Sequence, residues 1–113
     1  MKHVFVFGSN LAGRHGKGAA LFARKHYGAI YGQGVGMQGH SYAIPTKDYN
    51  LRTLPLATIE GYVEEFKSFT REHPDKLFII TPIGTGLAGY SKKDIWPMFK
   101  GVGSNCVFSH TWC

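Results

Sequence analysis

Two glycine-rich segments constrain this chain more than any other feature: the first glycine loop, residues 8–20, and the second glycine loop, residues 84–90. Each follows an apolar run with the composition of a buried strand, at residues 3–7 and 77–83, and each precedes a segment of helical character. Glycine allows the backbone to approach a ligand closely, and the free N–H groups at a helix N-terminus attract anions. The pattern therefore predicts two phosphate-binding turns in an α/β domain, with a nucleotide-like ligand between them.

Length and composition narrow the class of protein. A chain of 113 residues holds one modest hydrophobic core, which predicts a single domain over residues 1–113. The hydrophobic fraction of 43% excludes a disordered chain. No apolar run approaches the roughly 20 residues of a membrane-spanning helix, and the N-terminal residues lack the apolar stretch of a signal peptide. We therefore expect a cytoplasmic protein without a membrane partner.

The formal net charge of +6 predicts a surface that attracts anions. The lysines and arginines are scattered along the chain rather than gathered in a dense run with interleaved aromatic residues. This scatter favours solvated surface charge over a dedicated nucleic-acid site.

The histidines and cysteines predict neither a metal site nor a disulfide. The six histidines show no ligand-type pairing with one another or with carboxylates, so no metal and no other cofactor is expected. Cys106 lies in an apolar run and is predicted to be a core residue, and Cys113 is the last residue. His15, within the first glycine loop, is a candidate phosphate contact.

Strands and helices alternate along the chain, which indicates a largely parallel sheet. The clearest helix follows Pro55, because apolar residues recur there at three- and four-residue spacings on one face. The stretch 29–39 is predicted to be a loop with room for a short strand. Its segment 33–36 is either a third ligand-facing loop or, as we expect, a flexible connection. The other predicted elements are a helix at 17–27, a strand at 41–46, a helix at 95–100 and a strand at 105–110. Ligands of such sheets bind outside the carboxyl ends of the strands, where both glycine loops would lie.

Segments 7–11 (FGSNL) and 16–20 (GKGAA) resemble the first motif of the macrodomain superfamily, and segment 83–90 (IGTGLAGY) resembles its second phosphate loop. With segment 42–47 (YAIPTK) between them, the order is most similar to the branch of the terminal ADP-ribose glycohydrolases and of the antitoxins that remove ADP-ribose from DNA. The chain is also similar to small macro-like proteins of phages and prophages. The resemblance covers about residues 3–110. It implies a three-layer α/β/α sandwich with a mostly parallel mixed sheet, compact and truncated at the N-terminus.

The resemblance also implies a ligand, ADP-ribose or a related nucleotide, held in a cleft between the two glycine loops. Lys47 matches the lysine that attacks the anomeric carbon of the distal ribose in the glycohydrolase branch, where an amine can form a Schiff base with the opened sugar. The residues implied in ligand binding are Asn10, Gly13, Gly16, Gly18, Ala19, Gly84, Thr85, Gly86, Leu87, Ala88, Gly89 and Tyr90.

One residue departs from the glycohydrolase pattern. That branch places an acidic residue directly after the Gly-Leu of the second loop, where this chain has Ala88. Asp48, beside Lys47, is an alternative acid, although neighbouring side chains of a strand point to opposite faces.

Three functions therefore stay open. The first is a binding or sequestering module for ADP-ribose, supported by the paired glycine loops and by Ala88. The second is a hydrolase that removes ADP-ribose from protein or DNA with Lys47 as the nucleophile. The third is a protein whose basic surface docks nucleic acid while the cleft accepts a terminal nucleotide or an ADP-ribosylated base.

Overall fold

The structure, a computed structural model, describes residues 2–112. Within this range it has five strands, three helices and two short 3₁₀ segments, Trp96–Phe99 and His110–Trp112. The strands are β1 (Lys2–Asn10), β2 (Gly36–Gln38), β3 (Ser41–Lys47), β4 (Lys76–Ile80) and β5 (Cys106–Phe108). The helices are α1 (Gly18–His26), α2 (Leu56–Glu72) and α3 (Lys92–Ile95).

The five strands form one sheet in the order β2-β3-β1-β4-β5. The central strand β1 runs parallel to β3 on one side and to β4 on the other, and β5 continues in parallel beside β4. Only β2, paired with β3, is antiparallel in this sheet. The predicted α/β class with a mostly parallel mixed sheet is confirmed.

Side chains of β1 alternate between two hydrophobic clusters, because successive residues of a strand point to opposite faces. Val4 and Val6 belong to the larger cluster, which includes the buried side of α2. Phe5 and Phe7 belong to the smaller cluster, which α1 covers with Ala20 and other small residues. Helices therefore pack on both faces of the sheet.

Helix α2 packs its apolar face on the larger cluster, as its three- and four-residue spacing predicts. Ile59, Val63 and Phe66 are fully buried along this face. The ring of Phe66 meets that of Phe78 edge-on, with 5.6 Å between the centroids, and so joins the helix to β4. The helix ends before Pro74, whose ring cannot continue it.

The two C-terminal strands are shorter than the sequence predicts. The strand expected over 77–83 ends at Ile80, because the Ile83 N–H donates to the carbonyl of Thr81 and turns the chain away. Pro82 in this turn has no N–H to donate to a ladder. The strand expected over 105–110 is confined to Cys106–Phe108, because residues from His110 onward form a 3₁₀ turn.

The helix expected over 95–100 begins earlier, at Lys92. The Ser91 hydroxyl accepts from the Asp94 N–H while the Asp94 carboxylate accepts from the Ser91 N–H, which is a capping box. From Trp96 the helix tightens into a 3₁₀ segment with Pro97 in its first turn, where a missing N–H costs little.

Further sequence-based expectations concern the cysteines and membrane-spanning helices. Cys106 is buried in the larger cluster as predicted, and burial raises the pKa of its thiol. Cys113 lies outside the described residues. No helix within residues 2–112 has the length and apolar character to cross a bilayer.

Candidate functional site

The two glycine loops meet at one edge of the sheet. The first loop begins in the last residues of β1, and the second follows β4. These two strands are parallel neighbours, so both loops leave from the carboxyl ends of their strands. The loops approach each other closely: a Cβ on Gly8 would lie 3.3 Å from the backbone nitrogen of Gly84. This is the place where open α/β sheets bind ligands.

A cavity of about 1160 Å³ lies between the loops. Most of the predicted site residues line it, but Gly13, Gly89 and Tyr90 do not. The predicted residues that line it are Asn10, Gly16, Gly18, Ala19, Lys47, Gly84, Thr85, Gly86, Leu87 and Ala88.

Asn10 closes the beginning of the first glycine loop. Its Oδ1 accepts from the Arg14 N–H at 2.9 Å, and its Nδ2 donates to the Arg14 carbonyl at 3.0 Å. The Asn10 carbonyl also accepts from the Gly13 N–H at 2.9 Å. An asparagine that bonds nearby backbone in this way is typical of a turn, so the side chain shapes the loop as well as lining the cavity.

Segment 32–34 lies directly behind the first glycine loop and supports it. A Cβ on Gly13 would lie 2.7 Å from the Cα of Gly32, and a Cβ on Gly34 would lie 3.0 Å from the carbonyl carbons of Asn10 and Leu11. The buried Ser9 hydroxyl donates to the Gly34 carbonyl. The stretch predicted to be a flexible connection is therefore packed backbone against backbone, and this contact accounts for the glycine at position 13.

His15 is fully buried, so the expectation that it contacts phosphate is wrong. Its Nε2 lies 2.9 Å from the Gln33 carbonyl and 3.2 Å from Gln38 Oε1. Both neighbours are oxygen acceptors, so Nε2 carries the proton and donates. The ring edge meets the ring of Phe7, with 5.3 Å between the centroids. The histidine anchors the first glycine loop to segment 33–38 instead of facing the cavity.

The first glycine loop ends at the N-terminus of α1. Lys17 occupies the N-cap position without a side-chain hydrogen bond to the helix, and the first turn has no acidic residue. The N–H groups of Gly18, Ala19 and Ala20 find no acceptor among residues 2–112. These residues line the cavity, so the positive end of the helix dipole lies at its wall.

The second glycine loop presents a second set of free donors. Between Gly84 and Ala88, no backbone N–H finds an acceptor in the described part of the chain. Gly84 has a φ of 72°, a left-handed conformation that brings successive N–H groups to one side. A Cβ on Gly86 would meet nothing within 4 Å, so packing does not require glycine there.

The end of the second glycine loop is structural. The N–H groups of Gly89 and Tyr90 donate to the carbonyls of Gly86 and Gly84, which closes the loop. The Tyr90 hydroxyl donates to the Leu54 carbonyl at 2.6 Å, and the ring packs on the larger cluster. Tyr90 therefore fixes the loop to the segment before α2.

Lys47 is the last residue of β3 and is half-buried in the cavity wall. Its carbonyl accepts from the Leu11 N–H at 2.9 Å, so its backbone is tied to the first glycine loop. Asp48 does not line the cavity. Its Oδ1 accepts from the N–H groups of Asn50 and Arg52 at 2.8 and 2.9 Å, so this oxygen closes a turn.

The charged side chains of the cavity wall are all basic within the described residues. Arg14, Lys17 and Lys47 line it together with His110, and no Asp or Glu does. No three His, Cys, Asp or Glu side chains of residues 2–112 come close enough together to hold a metal ion. The cavity therefore attracts anions and offers no carboxylate to a reaction.

An apolar floor, which the sequence did not indicate, continues from the loops over the sheet. Phe5 of β1 and Ile79 of β4 line the cavity there, with Phe22 and Tyr27 at the side. The rings of Phe5 and Tyr27 stack with 4.9 Å between the centroids, and Phe22 is 47% exposed. The alternation of β1 could have indicated that Phe5 and Phe7 share a face, but not that this face continues to Ile79 of β4 along the cavity wall.

No family model, curated protein or solved structure matches this chain. The macrodomain resemblance thus rests on the motif residues themselves and stays a prediction.

Proposed function

We propose that this protein binds ADP-ribose or a related nucleotide in the cavity between the two glycine loops, as a binding or sequestering module with a macrodomain-like α/β/α sandwich. The observation that carries the proposal is the pair of free N–H sets, one at the start of α1 and one over residues 84–88, on the wall of a single cavity. Two adjacent donor sets suit a ligand with two linked phosphates.

Charge and size support the same ligand class. A diphosphate carries negative charge, and the charged wall residues Arg14, Lys17 and Lys47 are positive. The cavity volume of about 1160 Å³ slightly exceeds the range of roughly 300–1,000 Å³ usual for small-molecule sites. Its apolar floor at Phe5 and Ile79 offers a surface for the uncharged part of the ligand.

A second candidate function is ADP-ribosyl hydrolysis with Lys47 as the nucleophile. The observation that favours it is the position of Lys47 in the same wall as both donor sets. The cavity holds no carboxylate among its described residues to move a proton, since Ala88 occupies the place of the acid and an oxygen of Asp48 closes a turn. Binding without turnover therefore accounts for more of the geometry.

The test of binding is calorimetric titration with ADP-ribose, with ADP and AMP as comparators. We expect the wild type to bind ADP-ribose with micromolar affinity. Gly86→Glu should lower this affinity at least a hundredfold, because it places a carboxylate among the backbone N–H groups that would bind phosphate. Because a Cβ at Gly86 meets nothing within 4 Å, this variant should have the same free energy of unfolding as the wild type. Gly61→Glu adds the same group on the exposed side of α2 and is the matched control. Wild-type affinity in Gly86→Glu would refute the proposal that the second glycine loop binds phosphate.

The test of hydrolysis is release of ADP-ribose from modified protein and from modified DNA. If Lys47 is the nucleophile, Lys47→Ala loses turnover and still binds ADP-ribose, while the exposed Lys100→Ala keeps both. Equal turnover in Lys47→Ala and wild type would exclude the nucleophile role.

A further inference from the structure

A second, smaller cavity of about 400 Å³ lies beside α3, and four side chains line it: Lys92, Lys93, Trp96 and Trp112. We propose that this Trp–Lys site binds single-stranded nucleic acid, with a base stacked on tryptophan and the flanking phosphates paired with the lysines. The proposal rests on this site alone and does not require the nucleotide cavity between the glycine loops.

The two tryptophans form a rigid aromatic corner. The Trp112 Nε1–H donates to the Ile80 carbonyl at 2.8 Å, which fixes that ring to the end of β4. The Trp96 ring stands at 69° to it, with 5.5 Å between the centroids, and leans on Phe108 at 4.3 Å. Trp96 nevertheless stays 46% exposed. A half-exposed ring held by its neighbours can stack on a base without losing further side-chain freedom.

The lysines supply positive charge at the rim of the same cavity. The Lys92 ammonium donates to the Thr111 carbonyl at 2.8 Å, which holds it near the rings and leaves its other protons available. Lys93 is exposed beside it. The neighbouring carboxylate of Asp94 is engaged, because its Oδ2 accepts from both the N–H and the hydroxyl of Ser91. A phosphate at this rim therefore meets two cations and a carboxylate that is already hydrogen-bonded.

Charge complementarity favours a nucleic acid strand as the occupant over a peptide. The combination of exposed aromatic rings with lysines matches the alternation of bases and phosphates along a single strand. The chain's net charge of +6 adds long-range attraction for a polyanion. Residues 109–111 line the first cavity and Trp112 lines the second, so the two anion-attracting surfaces adjoin along one segment.

Intrinsic fluorescence reports directly on this site, because the chain's two tryptophans both belong to it. Titration with decathymidylate at low salt should quench the emission saturably, and the apparent affinity should fall steeply as salt increases. A poly-glutamate peptide of equal length is the comparator. Equal quenching by the peptide, or no quenching by the oligonucleotide, would overturn the proposal.

Variants show where the oligonucleotide binds, and the fluorescence anisotropy of a labelled decathymidylate measures the affinity of each one. Trp96→Ala should weaken binding about tenfold through lost stacking. Lys93→Gln replaces an exposed side chain and leaves the rings in place, and it should make the affinity less dependent on salt. Tyr49→Ala, which removes another exposed aromatic ring outside both cavities, is the control and should bind like the wild type. Unchanged binding in both Trp96→Ala and Lys93→Gln would refute the site. Gly86→Glu should keep oligonucleotide binding while losing ADP-ribose, so the two proposals fail separately.

Discussion

Replacement of Gly34 by alanine should destabilise the protein through the contact behind the first glycine loop. The added Cβ would lie against the Asn10 carbonyl oxygen and 3.0 Å from two carbonyl carbons, inside the 3.4 Å at which ordinary contacts begin. These neighbours are backbone atoms of the loop, so no side chain can rotate away. Either segment 32–34 or the loop itself has to move.

The size of the effect follows from the cost of overpacking, which is typically about 1–3 kcal/mol. Because the overlap involves backbone on both sides, we expect the upper end, about 3 kcal/mol. A chain of this length has an unfolding entropy near 0.24 kcal/mol per kelvin, so the melting temperature should fall by roughly 12 °C. Circular dichroism during heating, together with urea denaturation, measures both quantities.

Gly61→Ala is the matched control for this change. Gly61 lies on the exposed side of α2 with nothing within 4 Å of a Cβ, so alanine should stabilise the helix by up to about 1 kcal/mol. If Gly34→Ala melts within about 2 °C of the wild type while Gly61→Ala melts higher, the backbone contact assigned to segment 32–34 does not exist in solution. A Gly34→Ala variant that is destabilised should also bind ADP-ribose more weakly, since the first loop shifts.

Two further predictions concern the larger hydrophobic cluster. Burial, with a smaller contribution from Glu65, raises the pKa of Tyr42 to about 12 from its usual 10.0. The folded protein thus holds the phenol proton more tightly than the unfolded chain, so stability is complete below about pH 10 and falls by about 1.4 kcal/mol by pH 11. Urea denaturation should show a loss that is larger by this amount in the wild type than in Tyr42→Phe, because the raised pKa of Cys106 acts in both proteins; equal losses would contradict the assignment. Phe66→Ala empties the contact among α2, Tyr42 and Phe78 and should cost about 4 kcal/mol in the same assay, whereas a loss below 1 kcal/mol would mean that the core packs differently.

Local patterns made much of the fold predictable from the sequence. The apolar spacing of α2 depends on neighbours a few residues away, and this helix begins directly after Pro55 as predicted. The same holds for the strand β3, expected at 41–46 and found at Ser41–Lys47. Edge elements were less predictable, because the limits of β5 depend on how a 3₁₀ turn packs against β4.

In the candidate site, too, features set by local sequence were predictable, and features set by distant contacts were not. The order of strands, glycine loops and helices along the chain indicated that the two glycine loops would meet, since parallel strands bring their carboxyl ends to one edge. It did not distinguish a glycine that faces the cavity, such as Gly86, from one required by packing, such as Gly13. That distinction depends on segment 32–34, which is distant in sequence, and so does the burial of His15.

The central position of β1 has a consequence for synthesis of the chain. Of the five strands of the sheet, β1 leaves the ribosome first, yet its partners are residues 41–47 and 76–80. At roughly 5–20 residues per second, the second partner follows some seconds after the first strand. An apolar strand with an open edge during that interval is prone to pair with other chains. The nascent protein is therefore most exposed to aggregation between the emergence of β3 and that of β4, while residues 48–75 leave the ribosome, and slower translation over that interval should lower the yield of folded protein.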